Sequence, residues 1–221
     1  MSSLIFYTDP DQALVVTDTL AVNPDGSPLH FTSKAHYLPH LRTIVAGTGL
    51  DGFSVEWALS ATNRMVLSGV ENLNHHAPRG LRDLWARYNR DLRLPADMTT
   101  TVYHFGISES GGGVVAYAYR STNDFTTEKV SFGIGVKPAC TVPEVDLERL
   151  LGQVEAMMNE QRRLQELEPP QQRLHIGGEA HAIHLTKTGC TFLCLFQFSD
   201  FRTQERQLFR PGAESAPEKR A

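Results

Sequence analysis

The chain has 221 residues, 41% of them hydrophobic, and a formal net charge of −4. A chain of this length buries roughly 70–75% of the surface its unfolded form exposes, so it can build a complete core. The slight acidity and scattered cations give no footprint for nucleic acid, and no apolar run approaches the roughly eighteen residues a membrane span needs. The N-terminus has neither a basic n-region nor an apolar h-region. Cys140, Cys190 and Cys194 are odd in number and form no CxxC pair. Together these features predict a cytoplasmic protein in a reducing compartment, with no resident cofactor or metal.

In chain order, Ser3–Tyr7 and Ala13–Ala21 read as two strands joined by the Asp9-Pro10-Asp11 turn. The loop Asn23 to Pro28 leads to a strand-like run from Phe31 to Tyr37, and Thr43 to Ala46 is a short strand ending in glycines. A helix follows, with Asp51 as its N-cap and Phe53, Trp57, Ala61 and Met65 on one stripe. Leu81, Leu84, Trp85, Tyr88 and Leu92 mark a second helix. Its solvated face carries Arg79, Arg82, Arg87, Arg90 and Arg93.

The middle is strand-rich: Thr99–Ile107, a hairpin tip at Ser110–Gly113, Val114–Arg120 and Lys129–Val136. A long helix then buries Leu147, Leu150, Leu151, Val154, Met157, Met158 and Leu164, and Pro169-Pro170 ends it. Ala180–Thr186 and Cys190–Phe198 form a last hairpin. Residues 1–209 read as one domain and 210–221 as a polar, mobile tail. Strands grouped in blocks between helices favour antiparallel sheets over alternating βαβ units.

The chemistry centres on the first thirty-four residues. Ser2 follows the initiator, and the steps from Ser2 to Asp18 and from Asp18 to Lys34 are both sixteen residues. Alternate strand residues share a face, so Asp18 lies with Leu14, Val16 and Leu20. A carboxylate on an apolar face is costly unless it meets a cation or donors. The nearest candidate partner is Lys34.

Ser2-Ser3-Leu4-Ile5, Val15-Val16-Thr17-Asp18-Thr19, Lys34 and Ile44-Val45-Ala46-Gly47 resemble the opening of proteasome β-type subunits and the bacterial HslV peptidase. The match is specific over about the first sixty residues. The resemblance implies an α+β fold, a four-layer αββα sandwich of two antiparallel sheets flanked by helices. It also implies an N-terminal-nucleophile hydrolase cleaving peptide bonds, with Ser2 as nucleophile after Met1 is removed. The α-amine of Ser2 would act as base. Lys34 would lower the hydroxyl pKa, Asp18 would orient Lys34, and the Gly47 N–H would hold an oxyanion. A polypeptide substrate, a homo-oligomeric ring or other multimer and an ATP-dependent unfoldase are further implications.

The chain departs from the family norm in having serine rather than threonine. Gly133-Ile134-Gly135 also stands where the family often has Gly-Ser-Gly. Two other readings compete. A catalytically inactive scaffold would keep Met1. A dinucleotide-binding protein would use Gly47 to Gly52, which match GxGxxG, with Glu71 about twenty residues on. His75, His76, His175, His181 and His184 read as scattered histidines, since His181 and His184 point to opposite faces of a strand. Cys190 and Cys194 read as buried small hydrophobes.

Overall fold

The computed structural model describes residues 3–23 and 25–209. The chain begins with β1 (Leu4–Thr8), β2 (Gln12–Asp18), β3 (Leu20–Val22), β4 (Pro28–Phe31), β5 (Ala35–Leu38) and β6 (Thr43–Thr48). Two helices follow, α1 (Phe53–Asn63) and α2 (Val70–Leu92). Then come β7 (Thr101–Ile107), β8 (Val114–Arg120), β9 (Glu128–Lys129) and β10 (Gly133–Lys137). The chain continues through α3 (Leu150–Glu166), β11 (Glu179–Thr186), β12 (Cys190–Gln197) and α4 (Phe201–Phe209).

Strands in the order β10-β1-β2-β11-β12 form one five-stranded sheet, here sheet I, and β5-β6-β7-β8-β9 form sheet II. A two-stranded ribbon, β3-β4, stands apart. All pairings are antiparallel. The chain is thus a mixed α/β protein with three antiparallel sheets and, among the described residues, four α-helices, none long and apolar enough to cross a membrane.

Strand periodicity explains how the cores are distributed. Along β1 and β2, Leu4, Phe6, Ala13 and Val15 turn to one side and share a core with Ile44, Ala46, Tyr103, Phe105 and Ala116 of sheet II. The alternate residues Ile5, Leu14 and Val16 turn to the other side and meet Leu150, Val154, Met157 and Met158 of α3. On sheet II, Val45, Val102 and Tyr119 join Phe53 and Trp57 of α1 and Leu73 and Leu81 of α2. Both faces of these strands are buried, which is why they read as unbroken apolar runs. Each fully buried side chain of this size contributes about 1.5–3 kcal/mol.

Several expected boundaries move. The strand read from Ala13 to Ala21 breaks at Thr19, because the Thr19 and Leu20 N–H groups both donate to the Gly177 carbonyl, at 3.3 and 3.1 Å. That break sends β3 out of sheet I to pair with β4. The run from Phe31 to Tyr37 is likewise interrupted, and Lys34 lies between β4 and β5. The N-cap of α1 is Gly52, at φ 74°, and not Asp51. Lys129–Val136 divides between β9 in sheet II and β10 in sheet I.

Leu147 and Leu151, expected on the buried side of α3, are exposed, and Leu147 precedes the helix. Helix α4 was not anticipated. Its inward positions, Phe201, Gln204, Glu205 and Leu208, follow a helical period, but only two of them are apolar. Arg162 of α3 anchors it through a two-pronged bridge to Asp200, at 2.7 and 2.8 Å. The expected tail, residues 210–221, lies outside the described residues.

Candidate active site

The break after β2 leaves Asp18 as the last residue of that strand, with a side chain that is fully buried. Its Oδ1 accepts from Lys34 Nζ at 2.9 Å and from the Ser3 N–H, also at 2.9 Å. Its Oδ2 accepts from the Gly177 N–H at 3.3 Å. Lys34 Nζ makes a second bond, 2.6 Å, to the Leu20 carbonyl. The Lys34 side chain is 8% exposed, so the pair is nearly dry. A buried ion pair is tolerated when extra hydrogen bonds satisfy both partners, as here. The structure therefore joins Asp18 and Lys34, which the sequence paired by their spacing and by the need of a carboxylate on an apolar face for a cation.

Ser2 lies outside the described residues. Its neighbour Ser3 is fully buried, and its hydroxyl donates to Gln161 Oε1 at 2.5 Å. Gln161 in turn donates to the Pro138 carbonyl, also at 2.5 Å. Sequence reasoning missed Ser3 and Gln161. A signal was present: Val154, Met157, Met158 and Gln161 fall on one stripe of α3, and a glutamine on an apolar stripe needs a partner.

Gly47 belongs to β6, and its N–H donates to the Lys34 carbonyl at 3.4 Å, a long bond at the end of the β5–β6 ladder. Glycine is required there by space. A Cβ at Gly47 would stand 2.4 Å from Ser54 Cβ. Gly49, at φ 104°, is tighter still, with a Cβ falling 2.2 Å from the Thr99 carbonyl oxygen. Gly47, Gly49, Leu20, Lys34, Asp51 and Ser54 line a small cleft that opens to solvent. Lys34 also borders a second, open groove with His36, Phe192 and Cys194 on its walls.

The segment beside the N-terminus differs from expectation. Gly133, Ile134 and Gly135 pair with Thr8, Tyr7 and Phe6, well along β1 from Ser3. The end of β10 that reaches Leu4 is Lys137, followed by Pro138. Lys137 is half-buried and donates to Thr101 Oγ1 at 2.9 Å; burial, then the Arg120 charge, lowers its pKa.

The dinucleotide outline does not survive the topology. Strand β6 is antiparallel to both neighbours, and the fingerprint belongs to a parallel βαβ unit. Residues 64–69, just before Glu71, form no strand, and Glu71 sits in the first turn of α2 and accepts from Ser108 and Ser110 at 2.8 and 2.9 Å. Those hydroxyls hold its carboxyl below the usual range.

His181 and His184 do face opposite ways: His181 meets Glu179, and His184 meets Gln12. Cys194, read as buried, is exposed, while Cys190 is partly buried against the core between the sheets.

No model of a known protein family matches the chain, and no curated protein matches it.

Proposed function

We propose that this chain is an N-terminal-nucleophile hydrolase of the proteasome-like type, built as a four-layer αββα sandwich and cleaving peptide bonds. The carrying observation is the hydrogen-bonded chain from Lys34 through Asp18 to the Ser3 N–H. Ser2 is covalently joined to Ser3, one peptide unit of about 3.8 Å away. The three apolar cores support the layer order: helices, sheet II, sheet I, helix.

Removal of Met1 would free the α-amine of Ser2, whose ordinary pKa is about 7.7–8.0, so a useful fraction is neutral near pH 7. That amine would take the proton from Ser2 Oγ as the oxygen bonds to the scissile carbonyl carbon. The developing oxyanion would draw on the Gly47 N–H, which gives up only a long contact to the Lys34 carbonyl. Collapse would break the C–N bond, and the proton would pass from the amine to the leaving nitrogen. Water, deprotonated by the same amine, would then release the acyl group. Lys34 would stabilise the negative charge on Oγ throughout, and Asp18 would fix its position.

A polypeptide substrate, a homo-oligomeric ring or multimer, an ATP-dependent unfoldase and a cytoplasmic location belong to the same proposal. The test is hydrolysis of a fluorogenic peptide library by the mature protein. Turnover that disappears in Ser2→Ala and in Lys34→Met supports the reading. Equal turnover in wild type and Ser2→Ala rejects it, and a fully folded protein that never turns over favours the inactive scaffold.

A further inference from the structure

Strands β11 and β12 form a hairpin whose register shifts between Ala180 and His181. Ala180 opposes Phe196, but His181 opposes Cys194, so Leu195 is the extra residue of a bulge. Without that residue His181 would face Leu195. Bulges re-aim side chains and recur beside functional sites. Here the effect is to bring a thiol directly across from an imidazole. Glu179, two residues before His181, falls on the same face by strand alternation.

The outcome is a compact set of three unlike donors. One ligand atom each from Glu179, His181 and Cys194 lies within 4.8 Å of the other two. Glu179 Oε2 and His181 Nε2 are 2.9 Å apart, and Gln197 Nε2 donates to Glu179 Oε1 at 2.8 Å. Glu179 and His181 are part-buried and Cys194 is exposed, so solvent reaches the set.

We propose that Glu179, His181 and Cys194 form a binding site for a divalent transition metal, zinc by preference, independent of the hydrolase reading. Thiolate, imidazole and carboxylate together are a borderline-soft set that suits zinc and disfavours magnesium or calcium. Zinc bonds of about 2.0–2.1 Å to nitrogen and about 2.3 Å to sulfur separate tetrahedral donors by roughly 3.3–3.7 Å. The Glu179–His181 pair must open by a few tenths of an ångström, and the thiol must close by no more than about 1.3 Å. The exposed Cys194 side chain can make the larger move, and the part-buried Glu179 and His181 need only the smaller one. Gln197 orients the carboxylate from outside the ligand set, as outer-shell partners do. Three protein ligands leave a fourth position for water or a substrate atom. On binding, the Cys194 S–H bond breaks, the S–Zn bond forms, and the proton passes to solvent with no change of oxidation state.

The groove bordered by Cys194 and His181 is also bordered by Lys34, so an occupied site would sit on the wall of the candidate active site.

The experiment is titration of the untagged, metal-free protein with zinc chloride by calorimetry, with cobalt(II) as a spectroscopic probe of sulfur ligation. One zinc per chain is expected, with a thiolate-to-cobalt charge-transfer band. Cys194→Ser and His181→Ala should each weaken zinc at least about tenfold, the lower range seen when even an outer-shell partner is lost. Cys194→Ser should abolish the band while Cys190→Ser and Cys140→Ser retain it. Circular dichroism of Cys194→Ser confirms folding, and the exposed position makes that variant safe. Absence of stoichiometric zinc binding by wild type, or unchanged binding in folded Cys194→Ser, overturns the proposal.

Discussion

Lys34 Nζ lies 2.9 Å from Asp18 Oδ1, and the carboxylate it meets is completely buried. The same oxygen holds the Ser3 N–H, so one buried atom ties the chain start to the link between β4 and β5. This arrangement is sensitive to the loss of either partner. Removing one member of a buried pair leaves an uncompensated charge and costs about 3–5 kcal/mol. Asp18→Asn and Lys34→Met should each lower unfolding free energy by roughly that amount in urea titrations. The double variant should be less destabilised than the sum of the two, because it strands no charge.

His104 gives a pH dependence unrelated to the candidate active site. It is fully buried, and Trp57 Nε1 donates to its Nε2 at 2.8 Å, so the ring proton resides on Nδ1, which has no partner among the described residues. Burial lowers its pKa from 6.5 to about 3. Between those values the unfolded chain binds a proton that the folded chain refuses, so stability falls as pH drops from about 6.5 toward 3. Above pH 6.5 this contribution is complete. Unfolding free energy should therefore change by up to about 1.4 kcal/mol per pH unit inside the window. His104→Gln should lose that part of the slope, as read from urea midpoints across the acid range.

Gly49 marks the tightest backbone approach beside the cleft. At φ 104°, with the Thr99 carbonyl oxygen 2.2 Å from where a Cβ would be, no side chain fits without moving backbone. Gly49→Val should lower the melting temperature sharply, since strain of this kind costs about 1–3 kcal/mol before any clash. Addition of NAD should shift the melting temperature of neither wild type nor variant. A clear shift in wild type would restore a nucleotide-binding reading.

Arg162 binds Asp200 with two prongs and stacks over Phe198, 5.6 Å from the ring centroid. Lysine keeps the charge but loses the planar fork. Arg162→Lys should cost about 1 kcal/mol or less, because Asp200 is partly solvated. Amide exchange of α4 should accelerate while exchange in sheet I stays unchanged.

How far these features could be read in advance depended on their range in sequence. The β1–β2 and β11–β12 hairpins were legible because alternation and turn chemistry act locally. The joint spacing of Asp18 and Lys34 was also legible, since a carboxylate on an apolar face demands a partner. The break at Thr19 was not. It depends on the Gly177 carbonyl, more than 150 residues away, competing for two N–H groups. The division of Lys129–Val136 between two sheets was hidden for the same reason, because strand composition does not say which neighbour will pair. Cys194 escaped because its exposure follows from β12 being an edge strand of sheet I, and its place opposite His181 follows from the bulge at Leu195. Neither leaves a trace in the periodicity of Cys190 to Phe198.

The central claim is that Ser2 becomes a free N-terminal nucleophile beside the Asp18–Lys34 pair. The most direct measurement is the intact mass of the untagged protein, before and after treatment with a peptide epoxyketone, which needs both an N-terminal hydroxyl and its adjacent amine. The account predicts a mass short by one methionine and a single adduct on the peptide that begins at Ser2, lost in Ser2→Ala and Lys34→Met. Retained Met1, or a trimmed protein that forms no adduct at Ser2, would contradict it.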